Sequence, residues 1–391
     1  MHRRIVSSLI AALLCLMLGN RPAAAIDPID IHVILALTGP AAFVGKENVI
    51  SLGIIEKYVN AHGGIRGRPI HFAIQDDAST QQITVQLVNG LIAKHVPVMI
   101  GPNFTSDCTA IVPLVRDNGP VEYCLSPGIH PVRGGYTFSA TVGFADYAVV
   151  IARYLRARGF TRVAVLTSTD ATGQDFDRGW DATMRLPENK GISVVAREYF
   201  NNNDLSIVAQ AARIKASNAQ FFINWTAGTA FGTVLHGYRD AGLDIPIAAT
   251  NANMIYAQLE QYKDFMPREL LFPAPRGISE TGTLPGPIRD KQNVFFGEYA
   301  KLGIKPSIPG NFVWDVAFIV IDALKALGPD ASPEKIRDWI RNQHGWVGIN
   351  GVYDYGDAEQ RGLGPYALVM YHYNPYKPSF DAVSKPGGSL K

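Results

Sequence analysis

Hydrophobic residues between positions 31 and 79 change from the spacing of a strand to that of a helix and back. The apolar run Ile31–Leu37 is followed by Thr38–Pro40, where the backbone is expected to turn. From Val44 to Asn60 apolar residues recur at helical spacing, and Gly63–Gly64 supplies the left-handed positions that end a helix. A second apolar run begins at Pro69. This order predicts a βαβ unit of an open α/β sheet.

Ligands of open α/β sheets bind beyond the carboxyl ends of the strands. In this unit those ends are the loop Thr38–Gly45 and the pair Asp76-Asp77. Adjacent strand residues point to opposite faces, so Asp76 and Asp77 favour a structural role over a metal or acid/base pair. The first loop is therefore a candidate for ligand binding.

The same alternation continues along the chain and predicts two doubly wound sheets. Strands are expected at 96–100, 121–125, 162–166, 193–199, 220–224, 245–249 and 366–373. Helices are expected at 105–117, 147–158, 174–186, 205–215, 231–241, 294–302, 312–327 and 333–342, with a proline-rich stretch at 273–287. The length of the chain also exceeds what one hydrophobic core usually serves.

The first 25 residues have the pattern of a secretory signal peptide. Arg3-Arg4 precede the apolar run Ile5–Leu18, and Ala23–Ala25 provides small residues for cleavage. Cys15 follows two leucines where a lipoprotein signal needs small residues. We therefore expect a periplasmic mature protein that begins at Ile26.

Removal of this segment changes the charge balance. It takes three arginines from the 36 basic residues of the chain and leaves 33 against 34 acidic residues. Nothing basic remains to attract nucleic acid. No later apolar stretch approaches membrane-spanning length, so we expect no membrane insertion after processing, and a monomer.

Cys108 and Cys124 are the cysteines that remain after processing. An oxidising compartment allows them to pair. Two small buried residues are an equally good interpretation.

The segment Gly101–Ser106 is a candidate anion site because a strand end runs directly into a helix start. Free backbone N–H groups, the hydroxyls of Thr105 and Ser106 and the positive end of the helix dipole meet there and favour a carboxylate. The alternative is that Thr105 only caps the helix.

Motifs of common enzymes are missing from the sequence. There is no G-x-S-x-G, P-loop, H-E-x-x-H or C-x-x-C. Gly362–Ala367 matches G-x-G-x-x-A, but Pro365 stands where the helix should start. We expect a non-enzymatic protein without a cofactor or metal.

Several motifs together resemble the solute-binding proteins of branched-chain amino acid type ABC importers. They are LTGP, AHGGIRGRPI, DDAS, IGPNFTS, LSPG and NFVWDVAFIVIDAL, spread through nearly the whole mature chain. The resemblance implies a type I periplasmic-binding fold, with two Rossmann-like α/β lobes joined by three crossover strands. The implied lobes are residues 26–143 plus 276–360 and residues 144–275 plus 361–391. They are expected to close over a small carboxylate ligand and deliver it to a membrane permease; a ligand-sensing regulator of the same fold is the alternative.

The resemblance also implies which residues contact the ligand. Thr105, Ser106, Ile129 and His130 match carboxylate-binding positions, although the family commonly has a small residue and a Thr where this chain has Ile129 and His130. A lone loop histidine is more often a surface residue, and large aromatic residues are more often core. The other expected contacts are Phe43, Val44 and Phe104 on the first lobe and Phe144, Thr172, Trp225, Thr226, Ala227, Gly228 and Asn251 on the second.

The ligand prediction depends on departures from the family pattern. Asn251 occupies the place where amino acid binders have a carboxylate for the ligand ammonium, and Phe144 replaces another polar residue. The pattern predicts a benzoate-like or phenylpropenoate-like acid stacked on Trp225 or Phe144. The alternative is a hydrophobic or branched-chain amino acid whose ammonium is received by Asp146, Asp170 or Asp175.

Overall fold

The computed structural model describes residues 27–279, 285–356 and 359–391. The predicted signal peptide and the start of the mature chain at Ile26 lie outside these residues. Within the described residues, no helix is both long enough and apolar enough to cross a membrane.

The first sheet is parallel and has the strand order β2-β1-β3-β4-β5. Its strands are β1 (Ile29–Leu35), β2 (Ile70–Asp76), β3 (Val98–Ile100), β4 (Val121–Cys124) and β5 (Thr137–Ser139). Every residue of β3, β4 and β5 is buried, as expected where helices cover both faces of a parallel sheet.

The second sheet has the strand order β14-β13-β10-β9-β8-β6-β7. Its strands are β6 (Arg162–Ser168), β7 (Ser193–Phe200), β8 (Phe221–Trp225), β9 (Ile247–Ala249), β10 (Leu270–Pro275), β13 (Leu368–Asn374) and β14 (Ser379–Ala382), while β11 (His344–Val347) and β12 (Val352–Asp354) form a separate hairpin. The strands β6 to β10 are parallel, and β13 and β14 add an antiparallel edge.

Eleven α-helices lie in the described residues. They are α1 (Ala42–Ala61), α2 (Gln81–Ala93), α3 (Thr105–Val115), α4 (Phe144–Ala157), α5 (Ala171–Met184), α6 (Val208–Ala216), α7 (Ala230–Asp240), α8 (Tyr256–Glu260), α9 (Pro287–Lys301), α10 (Ile308–Leu327) and α11 (Pro333–Arg341). The late helix α10 returns to the first sheet and packs on α1. Asn48 Nδ2 donates to Pro309 O at 2.7 Å and Ser51 Oγ to Gly310 O at 2.8 Å.

The chain passes between the two sheets three times. Residues 140–143 lead from β5 to α4, residues 276–286 lead from β10 to α9, and residues 355–367 lead from β12 to β13. The prediction of two Rossmann-like α/β lobes is thereby confirmed, whereas the described parts of the three crossovers contain no strand. The exact lobe boundaries stay a prediction.

Some elements differ from the sequence expectation. The helix predicted from Leu205 begins at Val208, and Leu205 is almost fully exposed, so its apolar side chain does not mark a buried helix face. The proline-rich stretch overlaps the end of β10, which contains Pro273 and Pro275. These residues are two positions apart, so their missing N–H groups lie on one side of the strand, and pairing with β9 already ends at Leu271.

Cys108 and Cys124 form a disulfide that joins α3 to the end of β4. The bridge is fully buried and packs against Ile129. Of the two interpretations that the sequence allows, the disulfide is the one found. It fastens together two of the segments that border the cleft described next.

Candidate ligand-binding cleft

A cleft lies at the carboxyl ends of the strands of both sheets. Elements that pack on the first sheet and elements of the second sheet both contribute to its wall. The lining residues are Val44, Asn48, Asn103, Phe104, Leu125, Ser126, Pro127, Phe144, Thr172, Ala227, Thr250, Asn251, Ala252, Ile308, Pro309 and Phe312.

Three buried hydroxyls from the two sides meet beside this cleft, and we call them the hydroxyl cluster: Thr105, Ser126 and Thr172. The Oγ1 of Thr105 lies 2.7 Å from Ser126 Oγ and 3.5 Å from Thr172 Oγ1. Thr105 is the first residue of α3, and Thr172 lies in the first turn of α5. Since the first N–H groups of a helix have no partner within it, two helix starts and three hydroxyls converge here, which suits an anion.

The turn after β4 packs tightly on this cluster. A Cβ atom on Gly128 would lie 2.4 Å from Thr105 Oγ1 and 2.7 Å from Phe144 Cε2, so only glycine fits. The Gly128 N–H points to Ser126 Oγ at 3.3 Å. Sequence reasoning identified this LSPG turn but missed Ser126 as the residue that reaches the cluster.

None of the four residues expected to hold a carboxylate lines this cleft, but three of them, Thr105, Ile129 and His130, line a second pocket beside it. The Oγ of Ser106 donates to Asp107 Oδ1 at 3.1 Å, and Ile129 packs on the disulfide. His130 is exposed and pairs with Asp175. Only Thr105 belongs to the hydroxyl cluster.

The second side of the cleft contains four of the predicted residues: Phe144, Thr172, Ala227 and Asn251. Asn251 Nδ2 donates to Tyr147 OH at 2.8 Å, so the amide is oriented by a fully buried tyrosine. Val44 and Phe104 line the opposite side, as expected from the sequence.

Trp225 is part of the core behind the cleft, which corrects its expected role as a stacking surface. Its side chain is fully buried, and its ring is stacked on Phe176 with centroids 4.0 Å apart. The edges of Phe144 and Tyr147 cover it further, at 5.4 and 5.8 Å. Phe144 therefore lines the cleft, and Trp225 lies behind it.

Phe43, Thr226 and Gly228 do not line the cleft either. Phe43 is half-buried at the start of α1, and Thr226 is buried and donates to Asn202 Oδ1 at 3.0 Å. Gly228 has a φ of +76°, and a Cβ there would lie 2.7 Å from Pro40 O. Its role is to let two loops approach closely.

Asn48 and Asn103 line the cleft but were not expected. Asn103 Nδ2 donates to Asn48 Oδ1 at 2.8 Å, and Asn103 Oδ1 accepts from Ala36 N at 3.1 Å. With the bond from Asn48 to Pro309 O, this network ties β1, α1, α3 and α10 together. Asn103 lies in the GPNFTS motif, so the sequence contained a signal for this residue. Ile308, Pro309 and Phe312 line the cleft because α10, which is distant in sequence, packs on α1.

No charged side chain is found among the described residues that line the cleft. The acids considered for an ammonium group have other positions. Asp170 caps α5 by accepting from Gly173 N at 3.0 Å, and Asp175 accepts from His130 and Arg178, each at 2.7 Å. Burial raises the pKa of Asp146, which also does not line the cleft.

Asp76 and Asp77 act within the fold next to the first loop. Burial disfavours ionisation of Asp76, but hydrogen bonds from Thr38, Ala78 and Leu37 outweigh it and lower the pKa. Asp76 thus holds the loop, with Thr38 Oγ1 2.7 Å from its Oδ2. Burial raises the pKa of Asp77 to about 6.

Two α/β sheets with an uncharged cleft between them define a two-lobed binding protein. A family model described as "Periplasmic binding protein" matches residues 28–373. The chain therefore belongs to this family, which binds solutes and is not enzymatic. The resemblance to branched-chain amino acid type binding proteins is confirmed.

Curated relatives cover part of the chain. The chain is 24% identical over 224 residues to the "Leucine-, isoleucine-, valine-, threonine-, and alanine-binding protein" of Pseudomonas aeruginosa, which covers 56% of this chain and 59% of the relative. It is 23% identical over 235 residues to the "Leu/Ile/Val-binding protein" of Escherichia coli, covering 59% and 63%. The matched region thus spans about three-fifths of these relatives.

Solved structures match nearly the whole chain. A leucine-binding protein from Thermotoga maritima has a TM-score of 0.78 at 17% identity, covering 92% of this chain and 99% of that one. An ABC transporter solute-binding protein from Rhodopseudomonas palustris, solved with benzoate, has a TM-score of 0.75 at 16% identity, covering 93% and 100%. At these identities the similarity establishes the fold alone.

Proposed function

We propose that this protein is exported to the periplasm, begins at Ile26 and works as the solute-binding protein of an ABC importer. Its lobes, residues 26–143 plus 276–360 and residues 144–275 plus 361–391, close on a small carboxylate. The closed form is then recognised by the permease. Ligand shifts the equilibrium towards closure only through contacts that the closed form makes better.

The hydroxyl cluster supports a carboxylate ligand. Thr105 and Ser126 belong to the first lobe and Thr172 to the second, so an anion placed among them contacts both lobes at once. Such an anion also lies beside the N-terminus of α3, where the helix dipole favours negative charge, whereas the start of α5 is already capped by Asp170. An anion at this point therefore favours the closed form.

The uncharged lining of the cleft favours a ligand without an ammonium group. An ammonium group buried without an opposite charge is strongly disfavoured, and no acid lines the described cleft. The apolar wall includes Phe104, Leu125, Phe144 and Phe312. We infer an aromatic or other hydrophobic carboxylic acid without an α-amino group.

A branched-chain amino acid is the second candidate because the curated relatives are named for such ligands. In that case the ligand ammonium would need neutral hydrogen-bond acceptors. Asn251 is the candidate, because the bond from its Nδ2 to Tyr147 OH leaves its Oδ1 as an acceptor at the cleft. This alternative predicts a different response to the same panel of compounds.

Thermal-shift measurements with leucine, isoleucine, valine and phenylalanine against benzoate, 4-hydroxybenzoate and coumarate test the proposal. We expect the aromatic acids to raise the melting temperature. Stabilisation by the amino acids alone would contradict the ligand class, and no response to any carboxylate would contradict the carboxylate site. Native mass spectrometry of freshly purified protein identifies a ligand carried through purification.

A further inference from the structure

Arg361 is a buried arginine in the connection from β12 to β13, with only 4% of its surface exposed. Its guanidinium faces the first sheet, although the chain enters the second sheet a few residues later. The acceptors around it come from the turn after β4 and from the end of β5. Nη1 donates to Pro127 O at 2.9 Å, Ser139 Oγ at 3.0 Å and Thr141 O at 3.3 Å, and Nη2 donates to Ile129 O.

Two of these acceptors determine the direction of the neighbouring N–H groups. In a planar trans peptide the N–H points opposite to the carbonyl oxygen. Because the oxygens of Pro127 and Ile129 point to Arg361, the N–H groups of Gly128 and His130 point away from it. The Gly128 N–H accordingly points to Ser126 Oγ, which belongs to the hydroxyl cluster.

The guanidinium contributes little net charge to this site. Glu359 lies 3.3 Å from its Nε, and Asp146 and Asp175 also interact with it electrostatically. Three acids around one buried cation leave little positive field for a bound anion. Its contribution is therefore geometric, through the carbonyl oxygens that it holds.

We propose that Arg361 is a positioning residue of the carboxylate site: it holds the turn 126–130 so that the Gly128 N–H donates to Ser126 Oγ and orients that hydroxyl towards the ligand. This inference rests on the proposed carboxylate site. A long side chain from the third connection between the lobes thereby completes a binding element of the first lobe. The residue does not contact the ligand itself.

The test compares benzoate with its neutral analogue benzamide by calorimetry. In Arg361→Gln we expect the affinity for benzoate to fall about tenfold or more, because charge-assisted hydrogen bonds are misplaced. Benzamide, which has no carboxylate, should lose much less. An equal loss for both compounds, or unchanged affinity for benzoate, would overturn the positioning role.

Arg153→Gln is the matched control. Arg153 is half-buried and, like Arg361, donates to a backbone oxygen, Gly387 O at 2.7 Å, but it does not line the cleft. We expect this variant to bind both compounds like the wild type. If the panel identifies leucine as the ligand, leucine and leucinamide replace benzoate and benzamide.

Measurements on the wild type separate this inference from the proposed function. A wild-type protein that binds no carboxylate overturns both proposals. If the wild type binds benzoate and Arg361→Gln keeps the same ratio of benzoate to benzamide affinity, only the role of Arg361 is overturned. If Arg361→Gln does not fold, selective glycine ¹⁵N labelling of the wild type decides. The Gly128 amide should shift on titration with benzoate, and an unmoved Gly128 signal would overturn the inference.

Discussion

His130 Nε2 lies 2.7 Å from Asp175 Oδ1 and so connects the turn after β4 with helix α5 of the opposite lobe. Arg178 Nη2 shares the same carboxylate oxygen at 2.7 Å, and Glu359 Oε2 lies 3.5 Å from His130 Nδ1. The Arg178–Asp175 pair lies within helix α5, whereas the His130–Asp175 pair joins the two sides of the cleft. A contact of this kind exists only while the two sides are close.

Ligand affinity should therefore fall as the pH rises from 6 to 9. The hydrogen bond to Asp175 raises the pKa of His130 against the opposing effect of burial. The contribution of protonated His130 to closure is complete below its ordinary pKa of about 6.5 and is lost as the pH rises through the raised pKa. Calorimetry with benzoate across this range should show a change of a few fold, since the pair is partly exposed and screened.

The control for this pH effect is a second histidine–aspartate pair. His344 Nδ1 lies 2.8 Å from Asp354 Oδ1 within the β11–β12 hairpin and joins no separate lobes. His130→Gln should remove the pH dependence, whereas His344→Gln should retain it. The same pH dependence in both variants would refute a role for His130 in closure.

Loss of the hydroxyl cluster should weaken carboxylate binding. Changing Thr105 and Ser126 together to Ala removes two hydroxyl donors and should cost about 1–3 kcal/mol, roughly tenfold to a hundredfold in affinity. Ser106→Ala is the matched control because its hydroxyl donates to Asp107 and does not line the cleft. A larger loss in Ser106→Ala than in the double variant, measured by calorimetry, would place the carboxylate elsewhere.

Glu122 should make the protein less stable at high pH. Complete burial raises the pKa of Glu122 to about 8, against the hydrogen bond from Thr137. An acid whose folded pKa is raised contributes stability that is present below its unfolded pKa of about 4.5 and is lost as the pH rises through 8. Glu122→Gln should therefore melt at a higher temperature than the wild type at pH 9 but not at pH 5.

The comparison for this experiment is Glu188→Gln at an exposed position. It should follow the wild type at both pH values. Equal melting temperatures of Glu122→Gln and wild type at pH 9 would show that folding does not raise the pKa of Glu122.

The mature protein should begin at Ile26. The segment Ala23–Ala25 offers small residues for cleavage, and Cys15 lacks the small residues that lipidation requires. N-terminal sequencing of the protein recovered from the periplasm checks this directly. An acylated Cys15 or a retained Met1 in exported protein would disprove it.

Local patterns in the sequence determined most of the secondary structure and the family. Apolar spacing identified α1 and α10, whose buried faces repeat at helical intervals, and the motif GPNFTS correctly located the start of α3. These features depend on neighbouring residues, and so the sequence alone carries them. Helix α2 was not predicted although its buried residues Thr84, Val88 and Leu91 recur at helical spacing, whereas the two prolines of β10 argue against a strand.

The tertiary structure alone decided which side chains meet at the cleft. Successive helix residues differ by about 100° in direction, so Thr105 reaches Ser126 while Ser106 turns to Asp107. Trp225 is core because Phe176 stacks on it, a contact between a strand and a helix that no local pattern contains. Arg361 reaches the turn at Pro127 from 234 residues away. Such contacts follow from the order of the strands and the paths of the three connections, which set distances that sequence spacing does not.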